Sequence, residues 1–251
     1  MLKAARHRII LDRLSERGSV SVTELARDMS SSEMTIRRDL IELEEMGVLV
    51  RVHGGAVRGK TDAQPSFDER RDENRQEKAR IAAKAASLIQ PNMVVSFDAG
   101  TTSLMTAELA PDFPFTAITA GIMTANALCR RAGVNVIQVG GALHKSSYTA
   151  TGFMAVEGIQ SLNADLCFIS TRAIDLNQGT MEPILPLIEV KRALVSVAKK
   201  VVLLADHTKF ATTSLSLGVP MGEIDTLITD EAAPQDALAQ LRRQGVEIIL
   251  A

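Results

Sequence analysis

The residues best suited to bind a small ligand lie in one short segment, 96-SFDAGTTSLMTAEL-109. A predicted strand is followed there by a carboxylate, Asp98, and then by Gly100, Thr101 and Thr102 at the start of a predicted helix. Glycine lets a ligand approach the backbone, and the N–H groups and hydroxyls of such a turn suit a phosphate at the positive end of a helix. Asp98 would repel phosphate, so it suits a sugar hydroxyl or a hydrogen bond that shapes the loop. An ordinary capped strand-to-helix turn has the same sequence, so that alternative stays open.

Two other predicted strands end in residues of a similar kind. Gly140 and Gly141 follow VNVIQV, and 206-DHTKF-210 follows VVLLA. Ligands of open α/β sheets bind beyond the carboxyl ends of strands, so we expect these segments to line one crevice with the Gly100 turn. Lys209 is a candidate phosphate ligand there, with a surface lysine as the alternative. Lys78, at the start of the first helix of this region, is a weaker candidate.

A second chemically suitable segment is 30-SSSEMTIRRDLIELEEMG-47, which predicts an amphipathic helix. Ser32 can cap its start with a side-chain oxygen. At roughly 100° per residue, Ile36, Leu40 and Leu43 fall within about 60° of one another and define a core face.

The outward face of this helix changes charge along its length. Arg38 lies nearly opposite the core face and Arg37 on a flank, whereas Glu42 and Glu45 follow in the second half. Phosphate repels that acidic end, so only the first two turns can enter a DNA groove, as the recognition helices of helix-turn-helix proteins do. The predicted DNA contacts of this helix are Ser32, Met34, Thr35, Arg37 and Arg38.

The flanking segments distinguish a DNA-binding helix from an ordinary charged helix. A short helix, 23-TELARDM-29, precedes it, and an alternating hairpin, 48-VLVRVHGGAV-57, follows it. Arg51 and His53 share one face of that hairpin, where they suit backbone phosphates. Helix, turn, helix and hairpin in this order predict a winged helix-turn-helix.

The candidate ligand residues require a different architecture from residue 78 onward. Short apolar strands alternate there with predicted helices, at 93–97, 115–119, 134–139, 166–170, 201–205, 225–229 and 246–250. This alternation predicts an α/β fold with a mostly parallel, Rossmann-like sheet covered on both faces. Residues 58–77 are almost wholly polar apart from Phe67, which predicts a partly docked linker. We therefore expect a DNA-binding domain at 1–57, a linker at 58–77, and an effector-binding and oligomerisation domain at 78–251.

Composition limits the protein classes that fit. The chain has 251 residues and a net charge of −2, but residues 1–60 hold 11 Lys and Arg against 9 Asp and Glu, which favours a basic head on an acidic body. Cys129 and Cys167 lie in apolar runs, which predicts free core thiols in a reducing compartment. Apolar runs fall far short of the ~20 residues of a membrane span, and the start lacks a signal-peptide core. We expect a cytoplasmic protein with no membrane partner.

The run 23-TELARDMSSSEMTIRRDLIELEEMGVLVRVHGGA-56 resembles the signature of the DeoR family of bacterial transcriptional regulators. The family shares the serine-started helix with TIRRDL and the R-x-H-G-G-A wing. The resemblance extends over essentially the whole chain. It implies operator DNA as a partner, an effector domain similar in fold to ribose-5-phosphate isomerase and the CoA transferases, and a phosphorylated sugar or related metabolite as effector. The effector-domain positions that match are Lys78, Asp98, Gly100, Thr101, Thr102, Gly140, Gly141, Gly152, Asp206 and Lys209.

This chain departs from the family pattern where relatives show F-x-G-x-x-G-I. It reads 168-FISTRAI-174, with Ser170 and Ala173 in place of the glycines and a new cation at Arg172. Arg172 adds an anion partner to the predicted effector site.

Two further departures remove polar groups. Ala120 stands where the family commonly has asparagine, and Leu187 stands in place of the usual glutamate four residues before Lys191. Loss of an amide and a carboxylate removes partners for sugar hydroxyls. Together with Arg172, this predicts a more acidic effector or a loss of effector response.

The leading functional prediction is a repressor of a carbohydrate-catabolism operon, released by a phosphorylated metabolite. A ligand-independent oligomeric regulator is one alternative. Another is an isomerase-like enzyme with a DNA-binding head, in which Asp98, Asp206 and Lys209 form an acid–base group. No evident set of general base, nucleophile and metal ligands exists, so we predict no catalysis, cofactor or metal. One recognition helix covers only a few base pairs, so we predict a homodimer or tetramer.

Overall fold

The computed structural model describes residues 3–45, 49–52, 54–58 and 66–251. The chain divides into two compact units, Met1–Gln64 and Pro65–Ala251, which we call the head and the sensor unit. The elements of the head are α1 (Lys3–Arg17), β1 (Ser19–Ser21), α2 (Val22–Asp28), α3 (Glu33–Glu45), β2 (Leu49–Val52) and β3 (Gly55–Arg58).

The head is a winged helix-turn-helix, as predicted. Its three strands form an antiparallel sheet in the order β1-β3-β2, so β1 adds a third strand to the predicted hairpin. Gly55 permits this addition, because a Cβ atom there would lie 2.0 Å from the carbonyl oxygen of Val20. The predicted core face of α3 is confirmed, since Ile36, Leu40 and Leu43 are all buried.

The sensor unit alternates helices with strands. Its helices are α4 (Phe67–Asp72), α5 (Arg75–Ala86), α6 (Thr101–Glu108), α7 (Ile122–Leu128), α8 (Phe153–Gln160), α9 (Leu185–Ser196) and α10 (Gln235–Arg243), with 3₁₀ turns at His207–Phe210 and Met221–Glu223. Its strands are β4 (Val94–Phe97), β5 (Phe115–Thr119), β6 (Val134–Gln138), β7 (Ala142–His144), β8 (Thr149–Thr151), β9 (Leu166–Ser170), β10 (Ala173–Asp175), β11 (Gly179–Glu182), β12 (Val201–Leu204), β13 (Ser216–Pro220), β14 (Thr226–Thr229) and β15 (Glu247–Leu250).

A seven-stranded parallel sheet forms the centre of the sensor unit, in the order β15-β14-β12-β9-β4-β5-β6. Apolar clusters contain buried side chains from both faces of its strands, which explains their continuous apolar sequences and confirms the predicted α/β fold. Two small antiparallel sheets, β7-β8 and β10-β11-β13, were not predicted because their strands are only three to five residues long.

Part of the predicted linker is a packed helix. Ser66 and Glu69 form a capping box at the start of α4, and Phe67 is buried in an apolar cluster with Ile81 and Phe97. The Phe67 ring also meets the Tyr148 ring edge-on, 5.5 Å between centroids. These contacts fix α4 on the sensor unit beside the β7-β8 hairpin.

The two cysteines are both free but differ in environment. Cys167, in β9, is fully buried, and burial raises the pKa of its thiol to about 12. Cys129 is exposed at the end of α7, so the prediction of a core thiol was wrong for it. The apolar pattern around Cys129 is carried by its neighbours Ala127 and Leu128, which face inward.

Across the described ranges, none of the helices combines the length and apolar character needed to cross a membrane.

Candidate functional sites

The start of α3 is built by hydroxyl groups. The Ser32 Oγ accepts a hydrogen bond from the Thr35 backbone N–H at 3.2 Å and lies 2.9 Å from the Thr35 Oγ1, which confirms the predicted cap. Both side chains remain at the surface of the first turn, and Met34 beside them is 66% exposed. This turn therefore presents small and flexible groups outward.

The two adjacent arginines of α3 differ in their partners. Arg37 pairs with Glu33 one turn earlier, 3.3 Å between Nη2 and Oε2. Glu33 also accepts a hydrogen bond from the Thr23 hydroxyl at 2.9 Å. The bond from Thr23, and to a smaller degree the bond from Arg37, lowers the pKa of the Glu33 carboxyl. Arg38 is exposed, and none of the described residues pairs with its guanidinium. Arg38 is thus available to an external partner, while Arg37 is partly held.

The wing is tied to α3 through Arg51. Its backbone N–H and its Nε both donate to Glu44, at 2.9 and 2.7 Å, and this pairing lowers the pKa of the Glu44 carboxyl. Arg51 was predicted as a phosphate contact only, and the structure adds this positioning role. His53 lies outside the described residues. A groove of about 350 Å³ separates the wing from α3, lined by Val22, Arg37, Leu40, Arg51, Val52, Gly54 and Gly55.

A buried ion pair that was not predicted holds α3 on α1. The Asp39 carboxylate is only 3% exposed and accepts from Arg6 Nε at 2.6 Å and Arg6 Nη2 at 3.0 Å. His7 Nε2 lies 3.3 Å from the same carboxylate. The signal was present in the sequence, because at roughly 100° per residue Asp39 falls about 40° from Leu43 at the edge of the core face, where an acid requires a partner.

In the sensor unit, Asp98 follows β4, and its buried carboxylate accepts hydrogen bonds from other residues of the unit. One oxygen accepts from the Gly100 N–H at 3.0 Å, and the other accepts from the Ser170 N–H at 2.9 Å and the Ser170 hydroxyl at 3.1 Å. Lys191 Nζ lies 3.5 Å from that second oxygen. Of the two predicted roles for Asp98, the structure shows the loop-shaping one.

Lys191 on α9 has a carboxylate partner that was not predicted. Its Nζ pairs with Glu182, the last residue of β11, and also donates to the Ser170 carbonyl. Burial raises the pKa of Glu182. Burial lowers the pKa of Lys191, but the attraction of Glu182 and Asp98 outweighs it, so the net direction is upward. Lys191 is thus paired with a carboxylate from β11.

Ser170 occupies the space in front of the Gly100 turn. A Cβ atom added at Gly100 would lie 1.7 Å from the Ser170 Oγ, so a larger residue there would displace the Ser170 side chain. The Ser170 hydroxyl is directed at Asp98, so it partly fills this crevice.

A second group of charges lies around the carboxyl end of β12. Lys209 Nζ lies 3.5 Å from Asp206 Oδ2, and the side chains of Asn74 and Thr208 donate to Asp206 Oδ1. Burial raises the pKa of Asp206, but the attraction of Lys209 and the Thr208 bonds outweigh it, and the pKa is lowered. Lys78 is buried beside them, and desolvation, reinforced by repulsion from Lys209, lowers its pKa to about 8.

The carbonyl oxygen of Arg70 joins this group to the Gly100 turn. It accepts from Lys78 Nζ and lies 3.4 Å from the Thr101 hydroxyl. The side chains of Lys78, Thr101 and Thr102 are buried. The structure therefore brings together Lys78, Asp98, Gly100, Thr101, Thr102 and Lys209 along one edge of the sheet, which we call the rim.

The remaining predicted residues lie at two places. Arg172 follows β9 on the rim, close enough to Arg70 to lower its pKa. Gly140 and Gly141 follow β6, two strands away from β4, and Gly141 packs against Thr151 and Ala155. They are at the same end of the sheet as the Gly100 turn, but Gly141 lies against β8 and α8 and a Cβ atom at Gly140 would meet no atom within 4 Å.

The start of α6 is buried and has no side-chain cap. Leu104 makes the first helical bond to Gly100, so the N–H groups of Thr101, Thr102 and Ser103 have no intrahelical acceptor. The Ser103 hydroxyl is also buried and, among the described residues, has no hydrogen-bond partner. Orphan donors in a buried helix start, beside lysines, form a site that suits an anion.

The described residues contain no group of three or more His, Cys, Asp or Glu side chains that could hold a metal ion. A winged head and a parallel sheet with an anion-favouring rim together define a DNA-binding transcriptional regulator with a ligand-sensing unit.

Comparison with known proteins specifies the family. A model of the DeoR-like helix-turn-helix domain matches residues 6–62, and a model of the DeoR C-terminal sensor domain matches residues 73–231. The uncharacterized HTH-type transcriptional regulator YgbI of Escherichia coli K12 is 34% identical over 100% of this chain and 99% of its own. The putative aga operon transcriptional repressor of Escherichia coli O157:H7 is 34% identical, over 98% and 93%. The L-fucose operon activator of Haemophilus influenzae is 32% identical, over 98% and 99%.

Solved structures resemble this chain only with low TM-scores. The ribose 5-phosphate isomerase A of Methanocaldococcus jannaschii matches 55% of each chain with a TM-score of 0.39 and 13% identity. A probable sor operon regulator of Shigella flexneri matches 66% of this chain and 88% of its own, with a TM-score of 0.43 and 10% identity. From the family models and the relatives, the chain belongs to the DeoR family and is a transcriptional regulator, not an enzyme.

Proposed function

We propose that this chain represses a carbohydrate-catabolism operon and leaves its operator when a phosphorylated sugar or related metabolite binds at the rim. Relatives at 32–34% identity are named for the aga and fucose operons, one as a repressor and one as an activator. The observation that carries the effector proposal is the buried, uncapped start of α6 beside buried lysines.

A phosphate is the ligand group that best completes this arrangement. Its oxygens would accept from the orphan N–H groups of the first turn of α6 and from the Thr101 hydroxyl. Lys209 and Lys78 would add positive charge. Asp98 would hold the Gly100 turn in shape rather than contact the ligand, because its oxygens already accept from Gly100 and Ser170.

For the head, we propose that Arg38 reads a base edge and that Arg37 and Arg51 contact backbone phosphates. Ser32, Met34 and Thr35 would line the groove around Arg38. The exposure of Arg38, without a partner among the described residues, supports this assignment, as does the pairing of Arg37 with Glu33. His53 is included on its sequence position alone.

We further propose a cytoplasmic homodimer or tetramer. Paired half-sites on the operator require two heads, since one recognition helix covers only a few base pairs. The adjacent Phe153 and Met154 at the start of α8 are 73% and 69% exposed, and they offer the sensor unit an apolar surface for a second copy. Light scattering that finds a monomer with and without operator DNA would contradict this part.

The effector proposal is tested by adding sugar phosphates to the operator-bound protein and measuring release by fluorescence anisotropy. Thr101→Ala and Lys209→Met should each abolish release while leaving operator affinity within about twofold. Lys200→Met is the matched control, because Lys200 stands at the opposite end of β12 and pairs at the surface with Glu247. Normal release in both rim variants would defeat the proposal.

A further inference from the structure

Two of the groups proposed to bind phosphate are directed at a single backbone oxygen of α4. The Arg70 carbonyl accepts from Lys78 Nζ, and the Thr101 hydroxyl donates to the same oxygen at 3.4 Å. Lys78 is only 2% exposed and Thr101 only 6% exposed. A carbonyl oxygen of α4 therefore occupies the point where these two donors converge.

A phosphate that binds both donors must take the place of this carbonyl. Lys78 and Thr101 are buried and already directed at Arg70, so an oxygen atom from outside reaches them only when α4 moves. Ionised phosphate oxygens accept stronger hydrogen bonds than a neutral carbonyl does. The orphan N–H groups at the start of α6 add donors to the phosphate, which favours the exchange further.

α4 is a short helix that is attached at few points. Ser66 and Glu69 close its start with a capping box. Phe67 is buried in the apolar cluster, and Arg71 pairs with Glu108 of α6 at the surface, 2.7 Å between Nη2 and Oε1. Exposed ion pairs contribute little to stability, so the burial of Phe67 and the bonds to the Arg70 carbonyl hold α4 in place.

The junction after α4 allows the helix to move without α5. Residues 73 and 74 separate the two helices, and Asn74 has a left-handed backbone, φ +50° and ψ +41°, which asparagine tolerates better than most residues. The Asn74 side chain donates to Asp206 and Thr208, and this fixes the α5 side of the junction. A rotation at the junction would therefore lift α4 and leave Lys78, on α5, at the rim.

We infer that α4 is a displaceable cover of the effector site. In the free protein the Arg70 carbonyl engages Lys78 and Thr101, and the phosphate of the effector replaces it and releases α4. α4 is also the first element of the sensor unit along the chain, so its release carries the effector signal toward the head. The inference rests on the proposed function, because it assumes a phosphate at the start of α6.

The first test measures amide hydrogen exchange of the full chain with and without a saturating probe. The probes are inorganic phosphate, glucose 6-phosphate and ribose 5-phosphate. A bound probe should slow exchange in the first turn of α6 and accelerate exchange in α4 about tenfold, because α4 loses its attachment to Lys78 and Thr101. Exchange in α10, at the other end of the sensor unit's sequence, should stay unchanged.

The second test weakens the cover by mutation. Phe67→Ala should bind the probe about tenfold more tightly and Ser66→Ala about threefold, because the apparent affinity of a covered site rises with the population of the open state. Without a probe, both variants should bind the operator at least about threefold more weakly. Phe113→Ala is the control, since Phe113 packs on the same apolar cluster beside Phe115, at the amino end of β5, and should change neither affinity more than about twofold.

Three results would overturn the inference and leave the proposed function standing. One is protection of α6 by a probe with unchanged exchange in α4. The others are variants of Phe67 and Ser66 that bind the probe no more tightly than the unaltered chain, or that keep its operator affinity. Ser66→Ala decides the second test if Phe67→Ala does not fold. Failure of all three probes to protect α6 would overturn the proposed effector site together with the inference.

Discussion

The two binding surfaces of this regulator hold their charges in opposite ways. On the head, Arg38 of α3 is exposed, and none of the described residues pairs with its guanidinium. On the rim of the sensor unit, Lys78, Lys191 and Lys209 are largely buried, and each lies near a carboxylate. A surface that binds a polyanion can keep its cations solvated, whereas a closed small-molecule site must stabilise its desolvated charges with partners inside the protein. The difference predicts that the rim residues act as a coupled set, while Arg38, the proposed base contact, acts singly.

The largest expected effect concerns the buried ion pair that holds α3 on α1, rather than the residues proposed to contact DNA. Asp39→Asn removes the buried charge that pairs with Arg6 through two hydrogen bonds. Amide hydrogen exchange across α3 should accelerate about tenfold or more, because α3 loses a buried ionic attachment to α1. Asp28→Asn removes an exposed pair with Arg13 and is the control, with exchange in α3 nearly unchanged. Equal exchange in both variants would show that the buried pair does not position the helix.

The next effect distinguishes the two arginines of α3. Arg38→Ala should reduce discrimination between the operator and a single-base variant by about 1–3 kcal/mol, because it removes a base contact. Arg37→Ala should weaken binding to both sequences alike, as loss of a phosphate contact does. Competition titrations on DNA obtained by in vitro selection measure both. Unchanged operator preference in a folded Arg38→Ala protein would refute the assignment.

The third effect is a pH dependence on the rim. The pKa of Lys78 is lowered to about 8, so its positive charge is lost as the pH rises through 8, while an unfolded lysine keeps its charge to about 10.4. The charges around it are Lys209, Asp206, Glu73 and Arg70. Effector affinity should therefore fall about tenfold between pH 7 and pH 9, because a phosphate is already almost completely ionised at pH 7 and favours protonated Lys78.

Lys78→Met should flatten that profile, and Lys84→Met, on the exposed face of the same helix, should not. The same linkage predicts that the free protein gains stability as the pH rises from 8 toward 10, since the unfolded state then holds the extra proton. A steep profile that persists in Lys78→Met would assign the titration to another group.

The smallest effect belongs to the wing. Arg51→Ala should weaken operator binding and reduce the slope of log affinity against log salt by about one phosphate contact. The same change removes the tie to Glu44, so Glu44→Ala, which removes that tie but keeps the cation, serves as the control and should leave the slope unchanged. An unaltered slope in Arg51→Ala would place the residue in a purely structural role.

The sequence was most informative where local pattern decides structure. β5 and β9 have the predicted bounds, and the core face of α3 follows from helical spacing alone. Ser32 was identifiable as a cap because its partner, Thr35, is three residues away. In each case the interacting groups are close in the chain or repeat with a fixed period.

The rim was less predictable because its partners come from distant segments. Glu182 reaches Lys191 only after the chain has formed β11 and turned at Pro183, and Arg70 comes from a segment predicted as a linker. Ser170 could be recognised as an unusual residue, but its hydroxyl bond to Asp98 requires β9 and β4 to be adjacent. Strand order determines such contacts, and strand order cannot be read from periodicity.

The most direct test of the account is a crystal structure of the chain with the phosphorylated ligand that binds it most tightly. We predict that a phosphate lies within hydrogen-bond distance of the N–H groups of Thr101 to Ser103 and near Lys209, with Asp98 still accepting from Gly100 and Ser170. A ligand bound elsewhere in the sensor unit, or a phosphate held at the rim by neither α6 nor Lys209, would contradict it.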